Sequence, residues 1–137
     1  MEFVGVVARF HAAAWVAATV ITATPGRAAA QHIASDHRSW HASHIALAGA
    51  FAIALWMDAA QTREAVRRGY QEQNPVLGPH PSVGRINSYT VAAGLSVLAA
   101  AAVAPRRARP WLLGAALAIE TLAIAGNARA GLSVKFP

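Results

Sequence analysis

Acidic and amide side chains gather in one polar segment of the chain, between two apolar stretches. Asp58 and Thr62 close the first apolar stretch, and Glu72 and Asn74 follow them before a proline. Carboxylate and amide groups are costly at the edge of a bilayer, so they usually have a partner or a function there. We therefore take residues 58–78, the polar segment, as the first place to look for a site.

A second pair of polar residues lies in the last apolar stretch. Glu120 and Asn127 are seven residues apart, which places them on one face of a helix, with Glu120 about 10 Å deeper. A glutamate near mid-bilayer is costly unless it is protonated or paired. Glu120 could form the floor of a polar pocket, or it could be a neutral structural group bonded to a neighbouring helix.

Histidines precede the first apolar stretch and suggest a metal site. His37 and His41 are four residues apart, so they would share one helix face and could bind Zn²⁺ or Cu²⁺. Three imidazoles in line, with His44 added, would span about 10 Å, too far for one ion. His37 and His41 are therefore the candidate divalent-metal ligands, and solvated or interfacial histidines are the alternative.

The motifs of the common enzyme classes are missing from the sequence. There is no HExxH, no GxSxG and no glycine loop for phosphate, and the chain contains no cysteine. Ser88 and Tyr89 could act as nucleophiles, but the sequence places no base beside them. We assign no catalytic residue, and an intramembrane enzyme is the less favoured function.

The composition is typical of a membrane protein rather than a soluble domain. Of the 137 residues, 55% are hydrophobic and 13% are charged, about half the charged fraction of an ordinary soluble domain. A soluble, alanine-rich bundle is the alternative, but the apolar runs are continuous rather than amphipathic. We predict an all-α integral membrane bundle.

The apolar stretches predict three transmembrane helices within a membrane domain of residues 31–137. They cover about 43–60, 86–104 and 111–130, close to the length that spans a hydrocarbon core of about 30 Å. Three prolines and a glycine in residues 74–82 predict a loop. Residues 105–110 predict a tight basic turn.

Residues 1–30 are either a cleaved signal peptide or a fourth transmembrane helix. Arg9 precedes an apolar run, and small residues end at Ala30, which is the layout of a secretory signal. Glu2 weakens the basic region of such a signal. The alternative is an uncleaved helix from Phe3 to Ala23.

The order of the helices predicts where the polar residues meet. Three helices joined by short connections alternate in direction, so the end of the first, the start of the second and the end of the third share one membrane face. The predicted ligand-binding or structural polar cluster comprises Asp58, Thr62, Glu72, Asn74, Asn87, Tyr89, Glu120, Asn127 and Arg129.

The basic residues indicate lipid as a partner. The net charge is +6, and the arginines lie at the ends of apolar runs rather than in a stripe with aromatic residues. That distribution favours anionic lipid headgroups over nucleic acid. The predicted lipid-contacting residues are Arg106, Arg107 and Arg109.

The polar segment resembles a family of small, uncharacterised bacterial and archaeal multi-helix membrane proteins. The shared pattern is an acid and a threonine ending one helix, followed by a Glu-x-Asn-Pro loop, here Asp58, Thr62, Gly69, Glu72, Asn74, Pro75 and Gly78. The resemblance covers about residues 43–104. It implies a multi-helix membrane protein and no particular activity.

The expected function is that of a structural or accessory subunit, multi-pass in the inner (cytoplasmic) membrane. Its small residues, such as Gly94, Gly114 and Gly126, suit close helix packing in lipid. The packing partner would be a larger membrane complex or a second copy of the chain. The alternative is a metal- or small-solute-binding protein with a polar pocket at the Asp58, Glu72 and Asn127 face.

Overall fold

The computed structural model describes residues 39–72 and 74–134, and these residues form three helices without any strand. Helix α1 covers Ala42–Arg67, α2 covers Val83–Val103 and α3 covers Arg109–Arg129. Each is long and apolar enough to cross a membrane, which confirms the predicted all-helical fold with three candidate spans. The region expected to be a signal peptide or a fourth helix, residues 1–30, lies outside the described residues.

The helix ends follow from local sequence chemistry. Helix α1 continues through a charged turn beyond its apolar part and is followed by Gly69, whose φ of 81° suits a residue without a side chain. Helix α2 starts at Val83, because the Ser82 Oγ accepts the Arg85 backbone N–H at 3.2 Å and caps the first turn. Helix α3 carries Pro110 in its first turn, where a missing N–H costs nothing.

The core is small and unevenly shared among the helices. Helices α1 and α3 pack together more extensively than either packs with α2. Phe51 of α1 and Leu113 of α3 are fully buried. Within the polar segment, Leu77 of the loop packs with Ala59 of α1 and with Ile86 of α2. This contact holds the loop against the ends of α1 and α2.

Helix α2 packs tightly against α1 at Gly94. A Cβ atom placed there would lie 2.9 Å from the Leu55 Cδ2 atom of α1. A Cβ at Gly114 or Gly126 would meet no atom within 4 Å. Of the three glycines expected at helix contacts, Gly94 alone packs tightly against a helix of the described chain.

Large apolar side chains cover the outside of the bundle. Ile53, Val91, Leu95 and Leu122 are between 55% and 63% exposed. A helix that is apolar on its outward face requires lipid or another protein there. The bundle therefore has the surface of a small membrane protein.

Candidate functional site

The ends of α1 and α3 are joined by a buried polar contact. The Asn127 Nδ2 donates a hydrogen bond of 3.0 Å to the Asp58 Oδ1. Both side chains are buried. Since buried polar groups are costly without partners, the pair satisfies two groups that each helix would otherwise expose to an apolar interior.

Gln61, one turn further along α1, continues this contact. Its Nε2 donates to the Leu132 carbonyl at 3.3 Å and lies 3.5 Å from the Ile124 carbonyl. The Ile124 carbonyl belongs to the last two turns of α3, and Leu132 belongs to the segment after it, so Gln61 ties α1 to the end of α3. The Gln61 Oε1 is buried and has no hydrogen-bond partner within the described residues.

The last turn of α1 carries a buried glutamate clasped by two arginines. The Glu64 carboxylate accepts from Arg67 and Arg68, each at 2.8 Å. Arg68 also donates to the Gly131 carbonyl at 3.0 Å. Glu64 thus links the end of α1 to the turn that follows α3, and the spacing of these residues indicates the two ion pairs from sequence alone.

The Glu-x-Asn-Pro loop is held by its own hydrogen bonds. The Glu72 carboxylate accepts the Asn74 backbone N–H at 2.8 Å, and the Asn74 Oδ1 accepts the Val76 backbone N–H at 3.0 Å. An asparagine side chain that bonds the backbone two residues on forms an Asx turn. Asn74 is buried while Glu72 is half-buried. Both side chains therefore help shape the loop.

A narrow crevice lies between the three helices beneath this face. Its volume is about 30 Å³, enough for one or two water-sized groups. Four residues of the predicted polar cluster line it, namely Asp58, Thr62, Tyr89 and Glu120. Most of the lining is apolar, from residues such as Leu55 and Ile119. The crevice is the size of an ion or a water, not of an organic solute.

The other members of the predicted cluster lie outside the crevice. Asn87 is exposed and accepts a hydrogen bond of 2.8 Å from Arg63. Arg129 is exposed on the last turn of α3. Asn127 is bonded to Asp58, and Glu72 and Asn74 form the loop turn. Apart from Glu120, which lies in the middle of α3, the predicted residues thus share one end of the bundle, but they do not converge on one point.

At the opposite end, Arg109 is fully buried. Its Nε donates to the Ala101 carbonyl at 2.8 Å, and its Nη2 lies 3.3 Å and 3.4 Å from the Ala102 and Ala104 carbonyls. The guanidinium also stacks 4.7 Å from the Trp40 ring centroid. It thereby satisfies the C-terminal carbonyls of α2.

The three arginines expected to contact lipid therefore differ in placement. Arg106 and Arg107 are exposed in the turn between α2 and α3, whereas Arg109 is enclosed. Sequence reasoning missed this structural role of Arg109. The available signal is its distance from the end of α2, because a basic residue just beyond a helix can bond the last carbonyls.

The described histidines lie at the start of α1. His41 is the residue before α1, and its backbone N–H lies 3.5 Å from the His44 Nδ1. The two rings are 5.3 Å apart between centroids. The other predicted metal ligand, His37, lies outside the described residues. Residues 39–72 and 74–134 contain no group of three or more acidic or histidine side chains that could hold a metal.

Comparison with protein-family models, with curated proteins and with solved structures finds no match to this chain. The resemblance of the polar segment to small multi-helix membrane proteins stays a prediction.

Proposed function

We propose that this protein is a multi-pass protein of the inner membrane that serves as a structural or accessory subunit of a larger membrane assembly. The observation that carries the proposal is the small share of each helix used within the chain. Between 17% and 28% of the most apolar window of each helix is buried inside the bundle. Most of the remaining residues in these windows are apolar and are half-buried or exposed.

The arrangement of the polar groups supports a structural role. Asp58 bonds Asn127, Glu64 bonds two arginines, and Glu72 bonds the backbone of its own loop. These acids hold helices and turns together at one end of the bundle. Such contacts fix a particular helix arrangement, which a subunit needs in order to present a defined surface to its partner.

Helix α2 is the proposed packing surface. Only Ile86, Gly94 and Ala101 of its residues are buried within the chain. Its outward side carries Ala92 and Ser96, which are exposed and four residues apart. Because lipid tails are as apolar as leucine, helices associate in a bilayer through close packing at such small residues.

Single-cysteine crosslinking tests this surface, because the chain has no cysteine of its own. Ser96→Cys on α2 and Ala115→Cys on α3 both place the thiol at an exposed position. A photoactivatable maleimide attached in native membranes should give one discrete product from Ser96→Cys and none from Ala115→Cys. A monodisperse protein that forms no discrete product from either position contradicts the accessory role.

A narrower alternative is an ion-binding protein that uses the crevice. Asp58, Thr62, Tyr89 and Glu120 come from all three helices and line one space of about 30 Å³. Its size restricts the ligand to a small cation or a water. The test measures how far Na⁺, Mg²⁺ and Zn²⁺ raise the thermal unfolding midpoint of two variants. Glu120→Gln changes a residue of the crevice, and Glu72→Gln is the control because Glu72 lies outside it. Equal shifts in both variants exclude the crevice as the site.

A further inference from the structure

A hollow opens at the end of the bundle opposite the polar segment. It has a volume of about 440 Å³ and is lined by His41, His44, Arg106 and Arg107. The histidines come from the start of α1, and the arginines come from the turn between α2 and α3. Among residues 39–72 and 74–134, every side chain lining this hollow is therefore basic or can accept a proton.

The buried guanidinium of Arg109 lies at the end of the same turn. It changes which hydrogen-bonding groups the turn offers to an anion. A helix C-terminus ordinarily exposes carbonyl oxygens, which repel an anion. Here Arg109 takes up the Ala101, Ala102 and Ala104 carbonyls of α2. The turn consequently offers its arginine donors rather than a row of acceptors.

His44 adds a neutral hydrogen-bond donor to the hollow. Its side chain is 5% exposed, and its Nδ1 lies 3.5 Å from the His41 backbone N–H. With Nδ1 as acceptor, the neutral ring carries its proton on Nε2. No acceptor bonds that Nε2 within residues 39–72 and 74–134. The His44 ring lines the hollow, so its N–H can donate to an anion bound there.

The aromatic residues near the hollow place it at the level of lipid headgroups. Trp40 stacks on Arg109, and Trp111, in the first turn of α3, is 81% exposed. Tryptophans are enriched where a bilayer meets water. Arginine guanidinium groups bind phosphate oxygens through paired, charge-assisted hydrogen bonds.

We infer that this hollow binds the phosphate of an anionic phospholipid headgroup, with Arg106 and Arg107 as its charged donors and His44 as its neutral donor. Free phosphate shares this chemistry, but the presence of Trp40 and the exposed Trp111 at this end of the bundle favours the lipid. The site does not depend on a protein partner at α2, so it can be tested separately from the accessory role.

The test uses the purified full chain in a neutral detergent and follows its thermal unfolding midpoint. Three probes are titrated, namely a short-chain phosphatidylglycerol, a short-chain phosphatidylcholine and inorganic phosphate. The variants are Arg106→Gln with Arg107→Gln, Arg107→Gln alone, and His44→Gln. Arg129→Gln is the matched control, because it removes an exposed arginine from the other end of the bundle.

The wild type and Arg129→Gln should be stabilised by phosphatidylglycerol and not by phosphatidylcholine. Arg107→Gln and His44→Gln should each need about tenfold more of the anionic lipid for the same shift, the effect of losing one hydrogen bond to the phosphate, and the double arginine variant should need about a hundredfold more. Arg107→Gln changes an exposed turn residue, so it keeps the test decisive if the double variant does not fold. An equal response of Arg107→Gln and Arg129→Gln overturns the site. Stabilisation by inorganic phosphate with no response to the lipid overturns the lipid headgroup as its ligand.

Discussion

Asp58 and Asn127 are separated by 69 residues and yet share a buried hydrogen bond of 3.0 Å. The bond joins α1 and α3, the two helices that pack most extensively with each other. Gln61, one turn further along α1, bonds the segment after α3 in the same region. The end of α3 is therefore held to α1 by side-chain bonds as well as by apolar packing.

Replacing Asn127 with leucine should destabilise the bundle. The substitution removes the amide donor and leaves the Asp58 Oδ1 buried without that bond. The loss of one partner from a buried polar pair costs about 1–3 kcal/mol. The free energy of unfolding in detergent, measured by denaturant titration, should fall by that amount.

The exchanged pair, Asp58→Asn with Asn127→Asp, is the sharper control. It keeps one amide and one carboxylate in contact with their positions reversed, so it should recover much of the stability lost in Asn127→Leu. Ser88→Ala changes an exposed position of α2 and should have no effect. Wild-type stability in Asn127→Leu would show that the bond contributes nothing.

Arg109→Lys should also destabilise the protein although it preserves the charge. A lysine has one ammonium in place of the planar fork, so it cannot serve the Ala101, Ala102 and Ala104 carbonyls together. With about 1 kcal/mol for each hydrogen bond lost, the unfolding free energy should fall by about 2 kcal/mol or more. Arg107→Lys, in the exposed turn, is the matched control. Equal stability of the two variants contradicts a structural role for Arg109.

The fold could largely be predicted because its signals are local. Continuous apolar runs predict the three helices, prolines predict the loop after α1, and the spacing of Glu64, Arg67 and Arg68 predicts two ion pairs that the structure contains. Helix order alone places Asp58 and Asn127 at one end of the bundle. These inferences require only chain direction and residue spacing.

The partners of the polar groups could not be predicted, since they depend on how each helix rotates about its axis. The sequence groups Arg109 with two exposed arginines, whereas rotation of the first turn of α3 turns it inward. Likewise, Asn87 belongs to the predicted cluster but accepts its bond from Arg63 at the surface. The sequence predicts how deep each residue lies along its helix, but it does not predict the direction in which the side chain points.

Gly94→Leu should separate α2 from α1. The new side chain would begin 2.9 Å from the Leu55 Cδ2 atom, so Leu55 must change rotamer and the remaining bulk of the new leucine pushes α2 outward. Overpacking of this kind typically costs about 1–3 kcal/mol. Gly114→Leu makes the same change where no atom lies within 4 Å, and should leave the unfolding free energy within about 0.5 kcal/mol of wild type or raise it slightly. Equal effects at both positions would mean that helix propensity rather than helix contact decides the outcome.

Asn74→Ala should loosen the loop without unfolding the helices. The change removes the Oδ1 acceptor of the Val76 backbone N–H, a bond of 3.0 Å that closes the Asx turn. If that bond contributes about 1 kcal/mol, the open form of the loop becomes about fivefold more populated. Cleavage by chymotrypsin after Leu77, which is buried while the loop is closed, should accelerate by about the same factor.

Gln71→Ala serves as the control for this loop, because Gln71 is exposed and precedes the turn. Its cleavage rate should match that of the wild type. Gly78→Ala gives an independent route to the same result, since Gly78 has a φ of 76°, which strains any residue with a side chain. If neither Asn74→Ala nor Gly78→Ala changes the cleavage rate, the loop is held by the packing of Leu77 against Ile86 rather than by its own hydrogen bonds.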